Sequence, residues 1–142
     1  MSHFKVNWEV KSLKLKHAFG ISRSTKSEAK NVFLKIEKDD FTGLGEAAPN
    51  VRYEETPDRV IKYFESLPAD FFEDISSPED LIQKLKTIKG PSIHSAKAAI
   101  EMAWLDWWGK SQNKPIWKLW GMSSSMGPVS SYTIGIDTFE IM

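Results

Sequence analysis

The sequence predicts an α+β fold, a three-stranded antiparallel meander followed by a helical bundle. Three observations carry this. Apolar and polar residues alternate along the first third of the chain, the period of half-buried strands. Two pairs, Thr56-Pro57 and Ser77-Pro78, each open a run of apolar residues at helical spacing. A third run, around Ala96 to Trp108, is apolar on most of its helical surface and so reads as a helix buried between layers.

The first strand is read from Val6, Trp8 and Val10, which alternate with Asn7, Glu9 and Lys11. The phase slips at Ser12 and resumes with Leu13 and Leu15, so a β-bulge is expected there. Val32, Leu34 and Ile36 mark the second strand, and Asp39-Asp40 supplies a tight turn into a third over 41–47.

The first helix starts at Thr56-Pro57, carries Val60, Ile61, Phe64 and Leu67, and is expected to stop at Pro68. The second starts at Ser77-Pro78 and carries Leu81, Ile82, Leu85 and Ile88 as far as Gly90-Pro91. The third spans 92–110, with Ala96, Ile100, Ala103 and Trp107 on one face and Trp104 and Trp108 beside it. A short fourth helix over 115–120 ends at Gly121, a good residue for the left-handed position after a helix.

Beyond a Ser- and Gly-rich stretch, residues 129–136 read as a strand and Asp137-Thr138 as the start of another helix. A lone strand of this kind needs parallel neighbours and covering helices. The expectation is therefore a domain over 1–127, with 128–142 the first strand of a second domain that continues outside this sequence.

The chain has 142 residues, 41% apolar and 27% charged, which suits a folded globular domain. Lys plus Arg equals Asp plus Glu at 19 each, so the basic footprint of a nucleic-acid or membrane-surface binder is missing. There is no cysteine, which removes disulfides, thiolate nucleophiles and zinc-cysteine sites. No stretch approaches the ~20 apolar residues of a membrane span. A cytoplasmic protein is expected.

The two long polar connections are the candidate site. In a three-strand meander the first connection and the exit of the third strand lie at one end of the sheet. Residues 17–27 and 48–55 are both long and polar, whereas the opposite turn is only Asp39-Asp40. Together they mix Phe19, Ile21 and Tyr53 with Arg23, Lys26 and Arg52, a set suited to a small polar ligand bearing a carboxylate. Ordinary solvated loops are the alternative reading.

Other motifs carry less. Gly43-Leu44-Gly45-Glu46 begins like a dinucleotide fingerprint but lacks the third glycine and the following helix, so a bend or close packing explains it better. His3, His17 and His94 are scattered, and no metal site is expected within the sequence. Glu101 and Asp106 on the third helix are expected to meet a backbone N–H, a basic side chain or solvent. Trp104, Trp107 and Trp108 read as packing residues.

Three segments in order resemble the muconate-lactonising subgroup of the enolase superfamily. Gly43-Leu44-Gly45-Glu46-Ala47-Ala48-Pro49 is similar to the segment closing that subgroup's N-terminal sheet. Residues 95–106, with Gly109-Lys110 and 115–121, resemble its long helix and connector. Tyr132-Thr133-Ile134-Gly135-Ile136-Asp137 is similar to its first barrel strand. Within the subgroup, residues 19–25 and 28–32 look most like dipeptide epimerases.

The resemblance implies an enolase-like capping domain over a (β/α)₇β barrel. It implies a Mg²⁺ site and paired lysine acid/bases on later barrel strands, so that no catalytic residue and no metal ligand lies in this sequence and the fragment alone is inactive. It also implies a dipeptide as partner and a homo-oligomeric full-length protein. Phe19, Ile21, Arg23, Ser24, Lys26, Arg52 and Tyr53 would then face the substrate from the cap, with Thr133 a hydrogen-bond donor from the barrel. An arginine of the Ala-Glu-specific members aligns nearer Ser24 than Arg23, which leaves the dipeptide open. Muconate cycloisomerase and o-succinylbenzoate synthase remain alternatives, as does a stand-alone α+β binding module.

Overall fold

The computed structural model describes residues 3–21, 24–88, 90, 92–123, 127 and 129–131, with backbone alone at 17–21, 24 and 26. Three strands, β1 (Lys5–Ile21), β2 (Ser24–Lys38) and β3 (Phe41–Ala47), form one antiparallel sheet in the order β1-β2-β3. A single 3-10 turn, Val51–Tyr53, leads into four helices: α1 (Pro57–Glu65), α2 (Pro78–Thr87), α3 (His94–Ser111) and α4 (Ile116–Leu119). Among the described residues no helix is long and apolar enough to cross a membrane.

Local chemistry sets most boundaries. Asp39 and Asp40 both adopt positive φ, 50° and 65°, as the tight two-residue turns of hairpins require. Thr56 and Ser77 cap α1 and α2, their hydroxyls accepting from Arg59 N and Asp80 N. Helix α1 ends at Glu65, before Pro68, with Ser66 N still bonded to carbonyls of its last turn. Gly121 follows α4 at φ 67°.

The core lies between the sheet and the helices. Val32, Leu34 and Ile36 are fully buried on one face of β2 and pack with Val60, Phe64, Leu81, Leu85, Ile100 and Trp104. Helix α3 lies directly on β3. A Cβ built on Gly43 would sit 2.0 Å from Ala103 O, and one on Gly45 1.9 Å from Ala99 O. Two residues along a strand span ~6.6 Å and four along a helix ~6.0 Å, so the two glycines match the two alanines in step. These glycines therefore serve close packing rather than a bend.

Two expectations are corrected. No bulge occurs at Ser12, since β1 and β2 pair without interruption from Lys5↔Glu37 to Lys14↔Glu28. The irregularity falls later, between Lys14 and Phe19, where four residues of β1 stand against one of β2. Leu13 therefore pairs with Ala29 on the face opposite Val10↔Val32, and it is partly exposed. Residues 17–27 are not a long loop either. The two strands stay paired through Phe19↔Lys26, Gly20↔Thr25 and Ile21↔Ser24, so the connection is a long hairpin arm. The strand expected over 129–136 falls largely outside the described residues; 129–131 carry no strand.

Candidate functional site

The hairpin arm and the segment after β3 leave the sheet at the same end. Strand β3 finishes at Ala47, opposite Val32, while β2 runs on to Ser24 paired only with β1. From Val32 to Ser24 the arm overhangs the three-stranded part by roughly 25 Å at ~3.3 Å per residue. Phe19 and Lys26 are cross-strand partners on this arm, as are Ile21 and Ser24. Arg23 and Thr133 lie outside the described residues.

Residues 50–55 form a closed loop. Asn50 O accepts from Tyr53 N at 2.9 Å and from Glu55 N at 3.2 Å, which ties the base of the loop together. Asn50 Oδ1 accepts from Arg52 N at 2.9 Å. Glu54 turns the chain in a left-handed conformation, φ 56°, and its carbonyl accepts from Arg59 Nη1. Arg52 and Tyr53 therefore project from an ordered frame, and Tyr53 is 61% exposed. Its ring meets His94 edge-on, with centroids 6.4 Å apart.

Glu55 is the residue that sequence reasoning missed. It is buried, and its Oε1 accepts from His94 N at 2.6 Å and from Ser95 N at 3.3 Å. The first N–H groups of a helix lack partners within it, and an acidic group suits the positive end of the helix dipole. A signal was present. Helices α1 and α2 announce capping residues, whereas α3 begins behind Ile93, which makes no side-chain cap bond. An uncapped start on a buried helix calls for an acceptor from elsewhere in the chain.

Glu73 lies at the other end of the sheet, beside the Asp39-Asp40 turn. Glu73 is held down to about 2, chiefly by the hydrogen bond from Lys38 and then by Phe4 N. Lys38 Nζ approaches Glu73 Oε2 to 2.7 Å, and Phe4 N reaches Oε1 at 2.8 Å. This network ties the residue before β1, the end of β2 and the α1–α2 connection. Burial pushes the Tyr63 hydroxyl up to about 12. Asp80 is lowered by the Ser76 hydroxyl as part of the start of α2. Each has a structural explanation, so none points to an acid/base centre.

Asp106 behaves as expected of its helix. Its Oδ2 accepts from Leu44 N at 2.9 Å and from Lys110 Nζ at 2.7 Å, and Lys110 also donates to Thr42 O at 2.8 Å. Among the described residues no group of three His, Asp or Glu could hold a metal ion. A Mg²⁺ centre, which needs several oxygens in near-octahedral array, does not fit the residues described.

Comparison with known proteins gives a coherent result. The family model described as mandelate racemase / muconate lactonizing enzyme, N-terminal domain, matches residues 5–121. The chain is 31% identical over 130 residues to an L-Ala-D/L-Glu epimerase of Bacteroides thetaiotaomicron, covering 92% of this chain and 34% of that protein. It is 33% identical over 132 residues to a hydrophobic dipeptide epimerase of a Flavobacteria bacterium, covering 92% and 37%. The chain thus spans little more than a third of the length of these curated relatives. Among solved structures, the Enterococcus faecalis dipeptide epimerase complexed with Mg and L-Leu-L-Tyr superposes with a TM-score of 0.67 at 26% identity, covering 84% of this chain and 34% of that one. The L-Ala-D/L-Glu epimerase of Bacillus subtilis gives a TM-score of 0.73 at 24% identity, covering 84% and 34%, a likeness of fold.

Proposed function

The chain belongs to the N-terminal domain family of mandelate racemases and muconate lactonizing enzymes, and from that premise we propose that it is the substrate-selecting cap of a dipeptide epimerase. The observation that carries the reading is the shared end of the sheet. A long hairpin arm and a closed loop bearing Arg52 and Tyr53 leave it together, as elements that cover a neighbouring site would. Relatives named as epimerases of L-Ala-D/L-amino acids or hydrophobic dipeptides support the substrate class.

The chemistry divides accordingly. Epimerisation removes and returns the proton on the carbon α to a carboxylate, and a divalent cation with fixed positive groups would supply the charge stabilisation that this chemistry needs. In the parent protein these groups, Mg²⁺ and lysine acid/bases included, would belong to a barrel domain. This chain's part is to bind and orient the dipeptide and to exclude water. Arg23, Lys26 and Arg52 supply cations for a carboxylate, while Phe19, Ile21 and Tyr53 form an apolar wall; Ser24 and Thr133 supply hydroxyls. The parent is further proposed to be a homo-oligomer.

The test is an assay of the parent protein in D₂O on a panel of L,L-dipeptides including L-Ala-L-Glu and L-Leu-L-Tyr, with muconate and the succinylbenzoate precursor alongside. Deuterium entering at one α-carbon together with the epimerised product is expected. Turnover of either non-peptide substrate, with every dipeptide untouched, overturns the proposal.

A further inference from the structure

Glu55 sits between two helix starts. Its neighbour Thr56 caps α1, the hydroxyl accepting from Arg59 N at 3.3 Å, while Glu55 itself accepts the first N–H groups of α3. The closed loop 50–54 hangs from this pair through Glu55 N, which donates to Asn50 O at 3.2 Å. The same helix start carries His94, whose backbone N–H is bound by Glu55 and whose ring meets Tyr53. The loop is therefore fixed to α3 twice, once at its base and once at its exposed tip.

We infer that Glu55 is a positioning residue for substrate recognition: by clamping the first turn of α3 it sets the pose in which loop 50–54 presents Tyr53. This rests on the cap function proposed above. The N–H groups it takes belong to His94 and Ser95, and the His94 ring bears on Tyr53, so one buried side chain couples the start of α3 to the loop across 39 positions of sequence. Shifting that turn moves the ring against which Tyr53 rests, while the reacting groups, carried elsewhere in the parent, stay in place. The effect belongs in binding rather than in chemistry.

The experiment uses the parent protein and the dipeptide of the panel that it epimerises fastest. Glu55→Ala is expected to raise KM about tenfold while kcat stays within about threefold. Glu55→Gln, whose amide oxygen can still accept both N–H groups, is expected to restore KM to within about threefold of the unmodified protein. If Glu55→Ala does not fold, His94→Ala gives the reading instead, since it keeps the backbone N–H that Glu55 binds and removes only the ring; the same rise in KM is expected. An unchanged KM in a folded variant, or a fall in kcat and kcat/KM by the same factor, overturns the inference and leaves the cap function standing. A parent protein that epimerises no dipeptide overturns both.

Discussion

Gly45 and Ala99 meet backbone to backbone: a Cβ built on Gly45 would lie 1.9 Å from the carbonyl oxygen of Ala99. That contact seats α3 on β3, the two elements between which the loop 50–55 is anchored. Gly45→Ala cannot be absorbed by a side-chain rotation, because the clash is with main chain. A loss of about 3 kcal/mol is expected, at the upper part of the usual overpacking range. Urea denaturation followed by tryptophan fluorescence measures it; a midpoint equal to the unmodified chain's contradicts the packing described.

Glu73 gives stability a pH dependence with a defined sign. Its ordinary value of 4.5 is lowered to about 2 in the folded chain, first by the Lys38 hydrogen bond. A depressed carboxyl stabilises fully above its unfolded value and loses that contribution as pH falls through the folded one. Stability should therefore decline from about pH 4.5 towards 2, and Glu73→Gln should flatten this part of the profile. At neutral pH the variant should lose about 1 kcal/mol, since the pair is partly exposed and screened. Denaturation midpoints at stepped pH test it, and parallel profiles for the two proteins would be the contrary result.

Asp106 covers an exposed sheet edge. Its Oδ2 takes the Leu44 N–H, and Lys110 takes Thr42 O, so α3 satisfies outward-facing groups of β3. Asp106→Ala should speed amide hydrogen exchange at Leu44 at least tenfold while costing only about 1 kcal/mol globally. Unaltered protection at Leu44 would show that water or another group already serves that N–H.

Arg52 and Tyr53 are exposed and make few contacts that the fold needs. Arg52→Ala and Tyr53→Ala should each change stability by less than about 0.5 kcal/mol. In the parent protein each should weaken dipeptide binding about tenfold, seen as KM rather than kcat. Large stability losses with unaffected KM would assign these side chains to the scaffold instead.

The elements themselves were legible because their signals are local. Alternation in Val32, Leu34 and Ile36, the Asp39-Asp40 turn, and the Thr56-Pro57 and Ser77-Pro78 starts act within a few residues. The sequence alone thus determined the order of strands and helices, the burial of α3 and the resemblance that identified the family. Register was another matter. Leu13 and Leu15 read as a core-facing pair behind a bulge, yet continuous pairing through Lys14↔Glu28 turned Leu13 to the other face. The arm over 17–27 reads as a loop because its residues show no regular apolar alternation. Only the tertiary structure joined Gly45 to Ala99 and Glu55 to His94. Such contacts link residues dozens of positions apart, and no periodicity within one segment can encode a partner that folding alone brings near.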